Sequence, residues 1–577
     1  MRLPGHLCRV LLFIGSVFGS IFGATSSLLF GSMFGSMLSL TPAAFASAYN
    51  AHPKLVVVIV IDQFRGDYLE RYRDQFGDGG FRVFLDRGAY FSDCYYDYAN
   101  TRTAPGHATL FTGSYTSGHG IMANEWWDPQ KKKMVSSVED DTTKIVGTSG
   151  DRAGPGASPH NLLSDTLGDE LKLATGGKAR VFAVSLKDRA AVLPAGFSGD
   201  GAYWIDPKSG NWITSSYYRP DIPAGLPEWV RNFNDNHRAQ KFLNREWKDS
   251  DGTILGSTAP RNGKDGSPAG FYEIVGSTPF ANDYQLQFAK ELVIYEKLGE
   301  GPATDLLVVS LSANDILGHQ VGPDSPQMHS MALELDRSLA EFFTFLGHQI
   351  GMANIWMALS ADHGIAPLPD VAKNLRLPAA NLDTKALRER INSLLSVKYK
   401  KKADYVIGLD YPLAWLNEEA FAGIENETGA ELDTGEALKQ VGLTGYFMKS
   451  RLGTGTSIPD TELGRSYAHS YSPYGGWYVM GIPAPFQVGI TKGTDHATPF
   501  SYDTHVPLAF YGLAFQPGTY RTHAEPVDLA VTLASLLGIN APAKATGRVL
   551  TEALQPPHHL APPPPAQPAK QPAGGPQ

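Results

Sequence analysis

The residues most able to do chemistry stand at the ends of apolar runs. Asp62 follows Val-Val-Val-Ile-Val-Ile, Asp315 and His319 follow Leu-Leu-Val-Val-Ser-Leu-Ser, and Asp362 with His363 follows Ile-Trp-Met-Ala-Leu-Ser-Ala. His505 stands immediately before Val-Pro-Leu-Ala-Phe-Tyr-Gly. Aspartate oxygen and histidine nitrogen without thiolate form the donor set of a catalytic rather than a structural zinc, and six such groups suffice for two ions. Taken singly, each Asp reads as a turn or helix cap and each His as a satisfied surface residue. Their joint occurrence at four strand ends favours the metal reading. Asp315 and His319, four residues apart, share one face if a helical turn forms there.

A second pattern is Asn100-Thr-Arg-Thr-Ala-Pro-Gly-His-Ala-Thr109. Its Pro and Gly are expected to make a tight turn into a helix, with Thr103 at or near the helix N-terminus, where unpaired amides and the dipole favour an anion or a developing alkoxide. The alternative is that Thr103 only caps the helix; beside a metal constellation the nucleophile reading is preferred. Lys187 and Arg189, in Ser185-Leu-Lys-Asp-Arg189, read alone as exposed charges on a turn. His496, in Gly-Thr-Asp-His, is expected to stand behind the ligands or in the pocket wall and not to be a ligand itself.

These residues need a scaffold that brings strand ends together. Leu55–Ile61, Val181–Ser185, Leu306–Leu311, Ile355–Ser360 and Val506–Tyr511 are strand-length and continuously apolar. That is the pattern of strands covered by helices on both faces, so a mostly parallel sheet is expected. Helical spacing is found in 161–173, 326–346 and 526–537. Strands alternating with helices give an α/β/α sandwich. The stretches 200–285 and 410–490 are rich in Gly, Pro, Trp and Tyr and show no clear period; they are expected to be insertions forming a cap over the site, beyond the carboxyl ends of the strands. The catalytic region is placed at 49–553.

The 577-residue chain, 42% hydrophobic and 19% charged, has the composition of a soluble globular protein. A net charge of -9, with basic runs only at 131–133 and 398–402, gives no footprint for nucleic acid. Arg2 and Arg9 precede a stretch from Val10 to Asn50 without a charged side chain, and small residues near Ala46-Ser-Ala48 suit cleavage. Residues 1–48 are therefore expected to be a signal peptide, or an anchor if left uncleaved, for a periplasmic or secreted protein. Cys94 is the lone cysteine after that segment, which excludes a disulfide within the mature chain and a cysteine-based metal site. Residues 554–577, dominated by Pro, Ala and Gln, are expected to be a disordered tail.

The motif order Asp62, Thr103 in Thr-x-Pro-Gly-His, Asn124 in Gly-Ile-Met-Ala-Asn, Asp315 with His319, Asp362-His363 in Ser-Ala-Asp-His-Gly, and His505 resembles the alkaline phosphatase superfamily. Ser185-Leu-Lys-Asp-Arg189 and Tyr502-Asp-Thr-His-Val-Pro507 resemble more narrowly the phosphate-irrepressible bacterial alkaline phosphatases, relatives of nucleotide pyrophosphatase/phosphodiesterases. The similarity runs from about Leu55 to Val549. It implies two Zn²⁺, one held by Asp315, His319 and His505 and the other by Asp62, Asp362, His363 and the Thr103 oxygen. It further implies a phosphothreonine intermediate, with Asn124, Lys187 and Arg189 contacting the phosphate oxygens.

Charge supports the last point: three aspartates and an alkoxide cancel two dications, so a dianionic monoester needs the further cations that Lys187 and Arg189 offer. The expected function is hydrolysis of small phosphate monoesters. A phosphodiesterase or nucleotide pyrophosphatase on the same scaffold is the alternative, and a non-catalytic periplasmic zinc or phosphate binder a more distant one. Neither the oligomeric state nor the physiological substrate is readable from the sequence.

Overall fold

The computed structural model describes residues 52–148, 155–218, 225–263, 266–456 and 458–555. The expected signal segment lies outside the described residues, as does the expected tail from 556 onward. Leu554 and Gln555, where that tail was expected to begin, pair instead with Phe515 and Ala514.

A ten-stranded sheet forms the centre. Its middle is a parallel block of β1 (Leu55–Ile61), β2 (Val181–Ser185), β3 (Gly201–Ile205), β4 (Asp305–Leu311) and β5 (Ile355–Ser360), lying side by side in the order β5-β1-β4-β2-β3. Every residue of these five strands is buried. β6 (Leu508–Tyr511) extends the sheet beyond β5 but runs antiparallel to it. The helices 103–112, 167–174, 188–195 and 528–537 form one packed group, and 279–295, 313–321 and 326–349 a second. Continuous apolarity in β1, β4 and β5 thus has the origin the sequence suggests: no strand face meets water.

Two local expectations shift. The helix expected over 161–173 begins only at Leu167, because Thr166 and Asp169 form a reciprocal capping box that fixes the start there. The stretch 200–285 does not stand apart from the sheet: β3 and the strand 212–215 widen it by two.

Residues 384–482 build a four-stranded antiparallel sheet (406–410, 413–416, 445–448 and 478–482) with the helices 384–399 and 427–440. Ile391, Leu395, Tyr405, Leu416, Phe421, Leu438 and Val479 share a small core of their own. We call this the cap. Its strands are short and its core mixes aromatic and aliphatic groups, which is why no period marks it in the sequence.

Glu431 sits in this cap, buried, with one carboxylate oxygen accepting from the Ser450 amide at 3.1 Å and hydroxyl at 2.6 Å, and the other unpartnered. Burial pushes its carboxyl up from 4.5 to about 7, against the lowering effect of the Ser450 bonds. A raised carboxyl pKa favours the folded state below the unfolded value, and that advantage is lost as pH rises from about 4.5 to about 7. The loss amounts to roughly 3 kcal/mol at most. Glu431→Gln, which keeps an acceptor for Ser450 and cannot ionise, is expected to change stability little at pH 5 and to raise it at pH 8, as read by urea midpoints. An identical pH dependence in wild type and variant would show that Glu431 is ionised in both states.

Candidate active site

Strand register brings the chemical residues to one edge. Ile61 of β1 pairs with Leu311 of β4, Val60 pairs with Ser360 of β5, and Ser310 of β4 pairs with Ser185 of β2, so the four carboxyl ends are level. The residues that follow are Asp62, the helix 313–321, Asp362-His363 and Lys187. Asp315 and His319 share one face of that helix, His319 Nε2 lying 3.1 Å from Asp315 Oδ1. Asp62, Asp362 and His363 are fully buried.

Thr103 is the first residue of the helix Thr103–Thr112, and the extended Arg102 precedes it. Pro105 and Gly106 lie inside the helix and make no turn before it, a correction to the sequence reading. Pro105 occupies the first turn, where a missing N–H costs nothing. Gly106 is there for contact: a Cβ would come within 2.2 Å of the Asp362 carbonyl oxygen. Gly318 plays the same part on the other helix, where a Cβ would meet Gln63 Oε1 at 1.9 Å. The Thr103 carbonyl accepts from His107 Nδ1 at 2.8 Å, and the same nitrogen lies 3.2 Å from Asp362 Oδ2. Ser310 is 2.7 Å from His107 Nε2. Asn124 Oδ1 accepts the Ala104 amide at 2.9 Å, which leaves its amide nitrogen for another acceptor beside Thr103.

Three imidazoles are held alike. Nδ1 of His319 is 2.9 Å from the Thr494 carbonyl, that of His363 2.9 Å from the Gly364 carbonyl, and that of His496 2.7 Å from the Thr101 carbonyl. A carbonyl only accepts, so each Nδ1 carries the hydrogen and each Nε2 is turned to the carboxylates. His363 Nε2 is 3.5 Å from Asp62 Oδ1 and 3.7 Å from Asp362 Oδ2, and His496 Nε2 is 3.9 Å from Asp315 Oδ1.

His505, expected among the ligands, is not in this group. Its orientation is reversed: Nε2 is 3.1 Å from the Ser92 carbonyl and the ring stacks on Tyr95 at 4.5 Å. The reason is local. The turn 501–504 and the backbone bridge to Tyr95 bring His505 to the right sheet edge but face its ring away. His496, read from sequence as pocket wall, takes the place instead, its ring stacked 3.8 Å from His363. It is carried by a loop over the cluster, anchored where Thr101 Oγ1 donates to the Thr498 carbonyl and accepts the Thr498 amide. Strand-end logic does not reach a loop, and Thr-Asp-His was the available signal. Gln63, His107 and Asp495 were also missed.

The donor set suits a divalent cation. Asp62 Oδ1 and His363 Nε2 are buried without hydrogen-bond partners, Asp362 Oδ2 has only the His107 Nδ1 that also serves the Thr103 carbonyl, and ligand atoms of the three residues lie within 4.8 Å of one another. Buried acceptors left unpaired are costly, and a cation at their centre satisfies all three. Asp315, His363 and His496 form a second such group, and His319, Asp495 and His496 a third that overlaps it.

Lys187 adds charge to the same place: its Nζ lies 2.6 Å from Asp62 Oδ2 and 2.6 Å from Asp315 Oδ2. Burial, then repulsion from Asp315 and Asp362, holds the Asp62 carboxyl well above its usual range. Burial acts the same way on Asp315, but Lys187 and His319 outweigh it and hold that carboxyl well below. Asp362 is likewise held low, His363 and His107 overcoming burial. Burial opposes protonation of His319, yet Asp315 prevails and pushes it up to about 9. Burial lowers His363, and burial with the two neighbouring imidazoles lowers His496 strongly, so both present lone pairs at neutral pH. Arg189, about a quarter exposed, lies 3.7 Å from Asp188. With Lys187 it lines a cavity of about 430 Å³ walled by Val138, Ile145, Trp204, Ile213 and Tyr272.

Residues 56–427 match the family described as type I phosphodiesterase / nucleotide pyrophosphatase. The chain is 33% identical to alkaline phosphatase PhoV of Synechococcus elongatus, over 88% of this chain and 94% of that one. It is also 33% identical to a protein of Myroides odoratus named calcium-transporting ATPase, over 89% and 97%. The crystal structure of wild-type alkaline phosphatase PafA superposes with a TM-score of 0.77 at 30% identity, covering 87% of this chain and 99% of that one.

Exchanging the two histidines' roles is open to a direct test. His496→Ala is expected to lose bound divalent metal, measured by elemental analysis after gel filtration, whereas His505→Ala keeps the wild-type content. The reverse pattern would return His505 to the site.

Proposed function

The chain belongs to the type I phosphodiesterase / nucleotide pyrophosphatase family, and within it we propose the chemistry of an alkaline phosphatase: an exported enzyme that hydrolyses small phosphate monoesters through Thr103. The observation that carries this reading is the buried trio Asp62, Asp362 and His363 beside two further imidazoles with Nε2 turned inward, against the first turn of a helix that begins at Thr103. The relatives named alkaline phosphatase match nearly the whole chain. The Myroides name adds ATP to the phosphate compounds of the family; among the described residues no helix is long and apolar enough to cross a membrane.

Asp62, Asp362 and His363 would hold one Zn²⁺, and Asp315, His319 and His496 the other. When bound, the pair supplies Lewis-acid activation of the threonine hydroxyl and charge for the leaving oxygen. The protein's own groups do the rest. Thr103 sits at N1, so its oxygen stands at a helix N-terminus whose dipole favours the incoming anion. Attack forms the Thr103 O–P bond and breaks the ester P–O bond; water then cleaves the phosphothreonine and restores the hydroxyl. His107 fixes the Thr103 carbonyl, and Asn124, its own oxygen occupied by the Ala104 amide, donates to a phosphate oxygen. With its carboxylates neutralised by metal, Lys187 is free to turn to the substrate, and Arg189 offers a planar fork beside it.

A second reading, a diesterase, has one observation in its favour: the apolar cavity flanking Lys187 and Arg189 has room for a second ester group. One measurement tests the covalent route and a second separates the two esterases. Thr103→Ala is expected to abolish most monoester turnover while keeping its zinc; near-wild-type turnover would replace the covalent route with direct attack by water. Lys187→Ala with Arg189→Ala is expected to lower kcat/KM for a dianionic monoester by about two to four orders of magnitude, since buried charge-assisted bonds contribute roughly 1.5 to 3 kcal/mol each. A monoanionic diester should lose far less. Equal losses would remove the monoesterase assignment in favour of a general phosphoesterase.

A further inference from the structure

The residue bonded to the nucleophile is itself gripped by the cap. Arg102 has a side chain only 4% exposed, and its guanidinium meets three acceptors in the cap turn that joins strands 406–410 and 413–416. Nε lies 2.9 Å from Asp410 Oδ2, and Nη2 lies 3.0 Å from the Asp410 carbonyl and 3.3 Å from that of Tyr411. At the backbone, Arg102 is where extended chain becomes helix: its φ of -134° and ψ of 164° precede Thr103, and its carbonyl accepts the Gly106 amide at 2.9 Å.

The neighbouring residues have anchors outside the cap. Asn100 donates to Thr116 Oγ1 and to the Met122 carbonyl, Thr101 pairs with Thr498 and holds His496, and Thr103 is held by His107. Arg102 therefore adds the cap to the set of elements that fix the nucleophile's backbone.

From this geometry we propose that Arg102 is a positioning residue that, through Asp410 and Tyr411, locks the cap to the segment carrying Thr103. The proposal rests on Thr103 being the nucleophile. A guanidinium suits the task because it stays charged and offers Nε and Nη2 along one rigid edge, whereas an ammonium is a single point on a flexible stem. Asp410 is about half exposed at 49%, so a change there alters the clamp without opening a cavity in the core. In-line attack demands accurate placement, and a misplacement on the order of 1 Å slows such reactions by about a hundredfold.

The test uses the zinc-loaded full chain and an aryl phosphate monoester, with Asp410→Ala, Asp410→Asn and Arg102→Lys. Asp410→Ala is expected to lower kcat about tenfold or more, with KM within about twofold and zinc content unchanged. Amide exchange in peptides covering 100–106 should quicken. Asp410→Asn, whose carboxamide oxygen still accepts from Nε, should recover part of the rate, and Arg102→Lys should not. A kcat within about twofold of wild type, or a fall in kcat accompanied by parallel loss of zinc, would overturn the clamp. A wild-type chain without esterase activity would instead refute the Thr103 reading; exchange at 100–106 then decides the clamp alone, and unchanged exchange in Asp410→Ala refutes it.

Discussion

Three carboxylates taken out of water at one sheet edge are the constraint around which the rest of the molecule is arranged. Asp62, Asp315 and Asp362 are almost without exposure, and desolvation of that much like charge is unfavourable unless cations answer it. The answer is visible in the surrounding groups. The Lys187 ammonium spans Asp62 and Asp315, the Gln63 amide donates to Asp315 at 2.7 Å, and the Gln63 backbone donates to Asp362 at 3.0 Å. Even so, Asp62 Oδ1 stays unpartnered, and Asp362 Oδ2 has only the His107 Nδ1 that it shares with the Thr103 carbonyl. A structure that buries charge and leaves it partly unanswered is organised to hold a further cation.

The fold meets this constraint by register and close approach. Level parallel strands deliver the carboxylates, and the helices 103–112 and 313–321 press in where glycine permits, at Gly106 against Asp362 and at Gly318 against Gln63. The imidazoles come from three different elements, a helix, a strand end and a crossing loop, yet each is oriented by a backbone carbonyl. Backbone carbonyls belong to the rigid scaffold, so the direction of each Nε2 is set by the fold.

Much of this was legible before the structure. Buried strands have a strong signature, so β1, β2, β4 and β5 were readable to within a residue, and Asp62, Asp315, His319, Asp362 and His363 followed from their ends. Thr103 was placed at or near a helix N-terminus, and it is the first residue of one. What was not legible depended on direction rather than position. His505 and His496 both come near the sheet edge, and only the side of the ring that meets a carbonyl tells them apart. That is a long-range fact, since the carbonyl over His496 belongs to Thr101. The cap was opaque for a different reason: strands of four or five residues leave too few positions for a period to show. The grip of Asp410 on Arg102 spans about three hundred residues of chain and has no local signal at all.

Both inward-facing clusters are expected to hold metal. Crystals of the zinc-loaded protein, with anomalous difference maps recorded on either side of the zinc absorption edge, test this most directly. The expected result is two peaks, one at about 2.0 to 2.2 Å from oxygens of Asp62 and Asp362 and from His363 Nε2, the other at similar distances from Asp315, His319 Nε2 and His496 Nε2. Maps with no zinc signal at these residues, or with a peak at His505 and none at His496, would contradict it.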